Sequence, residues 1–144
     1  MARLIMLILV SCTPIFAAEP QPTNAWSGVK TPVAGQTQTI GGYSNGCFIG
    51  GNTLPHTGTG YETIRRSRNR YYGHPQLIEV VQWVANKHHE AGGETLLIGD
   101  LSQPAGGPMP FGHRSHQAGL DADIWFTNVP EGKRGADASF QRLV

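Results

Sequence analysis

The chain has 144 residues, with 11 Lys and Arg against 10 Asp and Glu, a size that allows one domain with a modest core. A formal net charge of +1 lacks the basic excess that nucleic-acid binding calls for, so no nucleic-acid partner is expected. With 19 glycines and 10 prolines, the composition excludes a helical bundle and points to a loop-rich domain.

The chain opens with Met1-Ala2-Arg3, an unbroken apolar run over residues 4–10, and Ala17-Ala18 ahead of polar Glu19-Pro20-Gln21. This is the pattern of a secretory signal peptide over residues 1–18, too short and wrongly flanked for a membrane span. Leu9-Val10-Ser11-Cys12 supports a competing lipoprotein reading, in which lipidated Cys12 would be the only membrane contact. Against it, Pro14-Ile15-Phe16-Ala17 is apolar where a polar tether belongs. Without Arg3 the basic count falls from 11 to 10, equal to the acidic count. Cys47 is left as an odd cysteine, which reads as a free thiol, a dimer bridge or half of a disulfide.

Residues 19–38 are polar with scattered prolines, an extended arm. The glycine-rich stretch that follows predicts a short strand over residues 47–49, and residues 52–60 read as an exposed loop. Arg65, Arg66, Arg68 and Arg70 precede Tyr71 and Tyr72. They read either as a solvated charged face or as the source of one forked contact to a substrate carboxylate. Residues 75–89 predict a helix: Pro75 suits its first turn, and Leu77, Ile78, Val81, Val84, Ala85 and His88 recur at helical spacing. Gly92-Gly93 closes it, with His88 and His89 structural or solvent-facing at its end. Residues 94–100 predict a buried strand, and residues 102–112 a Gly/Pro loop. Residues 128–135 are polar, and residues 138–144 read as the start of a further element.

The stretch after that loop is Gly112-His113-Arg114-Ser115-His116-Gln117-Ala118-Gly119-Leu120-Asp121-Ala122-Asp123. Alternation from Asp121 predicts a strand with Asp121, Asp123 and Trp125 on one face and Ala122, Ile124 and Phe126 on the other. Imidazole and carboxylate suit a divalent zinc ion in an open site, and His116 and Asp123 are the leading ligands. Taken alone, His-x6-Asp is a weak signal, since ordinary hydrogen-bonded residues share the spacing.

The whole string resembles the first metal motif of the penicillin-insensitive murein endopeptidases, which belong with the LAS metallopeptidases. Ser44-Asn45-Gly46-Cys47, Thr53-Leu54-Pro55, Arg70-Tyr71-Tyr72-Gly73-His74-Pro75, Leu97-Ile98-Gly99-Asp100 and Pro104-Ala105-Gly106-Gly107 extend the resemblance across residues 26–126. The resemblance implies Zn2+ held by His116 and Asp123, with His113 lining the site or holding a second metal. Asp121 would orient a ligand or make a plain turn hydrogen bond, and Arg70, Tyr72 and His74 would support the site or the substrate. It also implies a periplasmic enzyme, a peptidoglycan substrate, and zinc-activated water cutting the D-alanyl–diaminopimelyl cross-link. Other readings are a D-Ala-D-Ala carboxypeptidase or dipeptidase, a non-catalytic peptidoglycan-binding protein, and a secreted α+β domain without either role.

The family's third ligand and general base come from a later His-x-His motif, and this sequence has no histidine after His116. No catalytic base is therefore identified. In the family, the cysteine matching Cys47 pairs with one in that later part. These departures lead us to expect that residues 19–144 are the N-terminal portion of such a domain, with weak zinc binding and no turnover. The expected fold is α+β: a small, largely antiparallel sheet with the 75–89 helix on one face, long loops, and an incomplete C-terminal side.

Overall fold

The computed structural model describes residues 24–125. The expected signal peptide, Cys12, Phe126 and the stretches at 128–135 and 138–144 lie outside the described residues. Residues 24–37 run without helix or strand into a hairpin of β1 (Gln38–Gly42) and β2 (Asn45–Ile49). The predicted short strand is thus longer and paired. β3 (Asn52–Thr53) pairs antiparallel with β6 (Tyr72–Gly73). β4 (Thr57–Gly58), β5 (Tyr61–Thr63), β7 (Leu96–Ile98) and β8 (Ile124–Trp125) form a four-stranded sheet in the order β4-β5-β7-β8. All its neighbours are antiparallel except β5 and β7. Parallel strands need a long crossover, and α1 (Pro75–Glu90), the one α-helix among the described residues, lies within it. The small α+β architecture expected from the sequence is therefore present.

Helix α1 begins where Pro75 fixes the backbone and His74 Nδ1 accepts a hydrogen bond from Gln76 N at 3.3 Å. It ends at Gly92, whose positive φ of 81° suits a helix terminus. Its inner face buries Ile78, Val81 and Ala85. These join Leu54, Tyr61, Ile98 and Leu101 in the main core, with Leu77 and Ile124 packed against it. His88 and His89 are exposed in the last turn, as expected.

Two sequence readings fail here. Residues 52–60 are not wholly an exposed loop: they contain β3 and β4, and Leu54 between them is fully buried. Its N–H donates to the Tyr71 carbonyl at 2.8 Å, which draws the side chain under the helix. The four arginines are not a solvated face either, because none is exposed and Arg70 is only 3% accessible.

The Gly/Pro loop is also unusual in being buried over residues 102–107. Its backbone is satisfied by neighbouring chain: Ser102 exchanges two hydrogen bonds with Tyr72, and Gly106 bridges to Cys47. Phe48, 1% exposed, is seated against Gly51, Gly106 and Gly119, where an added Cβ would come within 2.1, 2.8 and 2.9 Å of its ring. Those three positions admit only glycine without displacement of Phe48.

Leu54→Ala is expected to cost about 2–5 kcal/mol of folding stability, the range for removing a fully buried leucine side chain. Urea unfolding measures it, with exposed Trp83→Ala expected to change stability by less than about 0.5 kcal/mol. Equal small losses in both variants would show that Leu54 is not a core residue.

Candidate metal centre

Residues 116–119 are a buried segment reached from four sides. Gln117 N donates to Tyr43 O at 3.0 Å, and Gly107 N donates to Gln117 O at 3.0 Å. Thr39 Oγ1 donates to Ala118 O at 3.2 Å, and His74 N to Gly119 O at 2.8 Å. The hairpin, the buried loop and the start of α1 thus fix one short backbone run. His116 is held there at φ 65°, a left-handed conformation that strains a non-glycine residue.

From that position the His116 ring faces two carboxylates. Its Nδ1 is 2.8 Å from Asp121 Oδ2, the same oxygen that accepts from His116 N at 3.1 Å. Its Nε2 is 3.4 Å from Asp123 Oδ1, within ion-pair reach, but it is buried with no hydrogen-bond partner. His113 Nε2 is 3.4 Å from Asp123 Oδ2, and the two histidine rings meet edge-on at 4.9 Å. One donor atom from each of His113, His116 and Asp123 lies within 4.8 Å of the others. The three residues that the sequence offers as metal donors, His113, His116 and Asp123, are thus brought together.

Asp123 owes its place to β7. Its N–H donates to Asp100 O and its carbonyl accepts from Gly99 N, so it extends the ladder of β7 and β8 by a residue. Gly99 is bare beneath it: a Cβ there would meet Trp125 Nε1 at 2.9 Å and Asp123 Cβ at 3.1 Å. Asp123 and Trp125 therefore share a face, as the alternation predicts, although the strand itself is only Ile124–Trp125.

Asp100 is the residue that sequence reasoning did not single out. It is 1% exposed, and its Oδ2 accepts from Arg68 at 2.9 Å and from Arg70 at 2.8 Å, with His113 Nε2 at 3.5 Å. Arg70 also donates to Phe111 O at 2.9 Å and stacks on the Phe111 ring at 4.3 Å. Of the two roles expected for it, supporting the site or the substrate, Arg70 has contacts of the first kind: it anchors the loop that carries His113. Nothing in the composition of residues 94–100 distinguishes Asp100 from a strand-end aspartate; only the arginines thirty residues earlier gave a hint.

Tyr72 and His74 are not among the three donors. Tyr72 is buried, its hydroxyl donates to Asn69 Oδ1 at 3.0 Å, and burial pushes its phenol up to about 12. His74 has its Nδ1 engaged at the helix start.

The charges explain how the donors are held. Burial disfavours the His116 imidazolium, but the carboxylates of Asp121 and Asp123 outweigh it and raise the ring to about 10. The contact with His116, only partly opposed by burial, lowers Asp123 below the ordinary carboxylate range. His116 Nε2 and the Asp123 carboxylate thus face each other at 3.4 Å without a hydrogen bond between them. The nitrogen, nitrogen, oxygen set suits zinc, and with ligand bonds of about 2.0–2.2 Å a tetrahedral site has edges of roughly 3.3–3.6 Å. Asp123 presents a different oxygen to each histidine at 3.4 Å, and the three donors as a set lie within 4.8 Å of one another, so they would close up around an ion. An orphaned, buried Nε2 whose ring is oriented by a carboxylate on Nδ1 is the pattern of a metal-bound histidine. The residues fit the ion.

A family model described as penicillin-insensitive murein endopeptidase matches residues 39–142. A relative of that name from Klebsiella pneumoniae (strain 342) is 42% identical over 126 residues, covering 88% of this chain and 44% of its own. One from Yersinia pestis bv. Antiqua (strain Antiqua) is 43% identical over 120 residues, covering 83% and 42%. One from Haemophilus influenzae (strain ATCC 51907 / DSM 11121 / KW20 / Rd) is 48% identical over 103 residues, covering 69% and 36%. The chain thus spans less than half the length of the curated relatives it matches.

Asp100→Ala leaves Arg70 buried without its carboxylate, and is expected to cost about 3–5 kcal/mol of stability, the range for breaking a buried ion pair from one side. Guanidinium unfolding checks this, with Asp100→Asn retaining part of the loss as a neutral acceptor. A loss below about 1 kcal/mol would place the pair with exposed surface pairs.

Proposed function

The chain belongs to the penicillin-insensitive murein endopeptidase family, and on that premise we propose that His113, His116 and Asp123 belong to the zinc site of a peptidase. Its proposed substrate is the D-alanyl–diaminopimelyl amide cross-link of peptidoglycan. The observation that carries the reading is His116: buried, strained, braced by Asp121 on one nitrogen and orphaned on the other. A structural histidine in a core would have both ring nitrogens satisfied.

Within this reading each side chain has a defined task. Asp121 Oδ2 accepts the Nδ1 proton of His116, which directs the Nε2 lone pair to the metal and raises its basicity. Asp123 supplies the anionic oxygen that offsets the metal's charge, and His113 the second imidazole. Arg70 and Asp100 set the His113 loop through the Phe111 carbonyl. When bound, zinc supplies a water acidified to near-neutral pKa and a Lewis acid for the amide carbonyl. No serine needs to be acylated, which accounts for an activity indifferent to penicillins. No general base is assigned among the described residues. The proposed substrate places the protein in the bacterial periplasm, with residues 1–18 as its export signal.

Zinc titration by calorimetry is expected to find one ion per chain, lost in both His116→Ala and Asp123→Ala. Asp121→Ala is expected to weaken binding about 10–100-fold, the usual effect of removing a group that orients a ligand. Zinc binding that survives His116→Ala would refute the site.

The bond is tested by equilibrium capture of defined muropeptides on the immobilised protein. Cross-linked dimers should be retained over pentapeptide monomers. The reverse preference would move the reading to a D-Ala-D-Ala carboxypeptidase. Capture of both that is untouched by His116→Ala and Asp123→Ala would move it to a non-catalytic wall-binding protein.

A further inference from the structure

Among Arg65, Arg66, Arg68 and Arg70, three have their charge matched. Arg66 pairs with Glu62 at 3.0 Å, while Arg68 and Arg70 share Asp100. Arg65 has no carboxylate of the described residues within ion-pair distance, and its Nε is buried without a hydrogen-bond partner. It is half-buried rather than extended into water.

Its position is fixed from both ends. The backbone at Arg65 is left-handed, φ 55° and ψ 40°, a strain it shares with His116 and Asn69. Its guanidinium lies over the Trp125 ring at 4.4 Å. Stacking occupies the face of a guanidinium and, with Nε buried, leaves the in-plane Nη donors for an acceptor. Trp125 shares its strand face with Asp123 above bare Gly99, so the cation lies on the side of the sheet that carries the metal donor.

An amide whose amine belongs to an amino-acid centre carries a carboxylate on the carbon bonded to the amide nitrogen. An anion so close to the scissile bond must lie beside the metal donors whenever the carbonyl does. We propose that Arg65 binds that carboxylate, on the amine side of the amide, and so selects for it. This rests on the peptidase reading above. Arg114, also on the donor loop, is exposed and has no comparable seat.

The test uses the full chain in EDTA, so that no turnover consumes the ligand. Two probes are titrated and followed by NMR: acetyl-D-alanyl-diaminopimelate acylated on its D-centre amine, and the same compound with the adjacent carboxylate converted to amide. The free carboxylate should bind about tenfold or more tighter, the scale of a charge-assisted hydrogen-bond pair. Arg65→Gln should bring both probes to the affinity of the amidated one, Arg65→Lys should keep part of the preference, and Arg114→Gln should keep all of it. The backbone amide spectrum establishes that each variant is folded. Preference that persists in Arg65→Gln, or disappears in Arg114→Gln, overturns the assignment. Equal binding of both probes to the wild-type chain overturns it while leaving the peptidase reading in place. If neither probe binds, the Arg65 assignment falls, while the peptidase reading stands or falls on the zinc titration.

Discussion

The Oδ2 atom of Asp100 is where the structure is tied together. It takes two guanidiniums on the end of β7, while its own carbonyl receives the Asp123 N–H. One of those guanidiniums, Arg70, continues to the Phe111 carbonyl, and the Arg70 carbonyl receives Leu101 N. Four segments remote in sequence therefore meet at one buried charge. A carboxylate that is 1% exposed is costly unless paired, and here the pairing also sets where two loop segments run. Hydrophobic burial holds α1 to the sheet; this polar junction decides where His113 and Asp123 stand relative to each other.

The helix was readable in the sequence because periodicity, a first-turn proline and a terminal glycine all agree over sixteen residues. The donors were readable for another reason. His116 and Asp123 are close in sequence and joined by Gly119, so a local string was enough to bring them near each other. What the sequence did not reveal depends on distant partners. Leu54 lies in a polar, glycine-rich stretch and is buried only because β3 pairs with β6 and α1 covers it. The arginine cluster looks solvated until Asp100 arrives from thirty residues further on. The burial of the 102–107 loop is equally non-local, since neighbouring backbone and the Gln103 side chain, donating to Gly106 O at 2.8 Å, satisfy it.

Alternation on the final strand is a mixed case. It placed Asp123 and Trp125 on one face correctly, yet only Ile124 and Trp125 form the strand. Asp121 leaves the ladder because its carboxylate turns back to the ring and N–H of His116. A period-2 pattern cannot register such a local competition for hydrogen bonds. The same turn explains why His116 adopts a left-handed backbone: the bend that lets Asp121 bond both His116 groups is one that β geometry cannot make.

The stitching of residues 116–119 has a kinetic consequence. Thr39 reaches Ala118 across 79 positions, Gln117 reaches Gly46 across 71, and Asn24 reaches Pro108 across 84. Each such contact closes a long loop, and chains dominated by long-range contacts fold slowly because closure entropy comes before reward. A cation that binds only the assembled trio stabilises the folded chain by mass action while doing little to speed its formation. A cation held by these three donors would be a lock on a finished structure, not a template for building one.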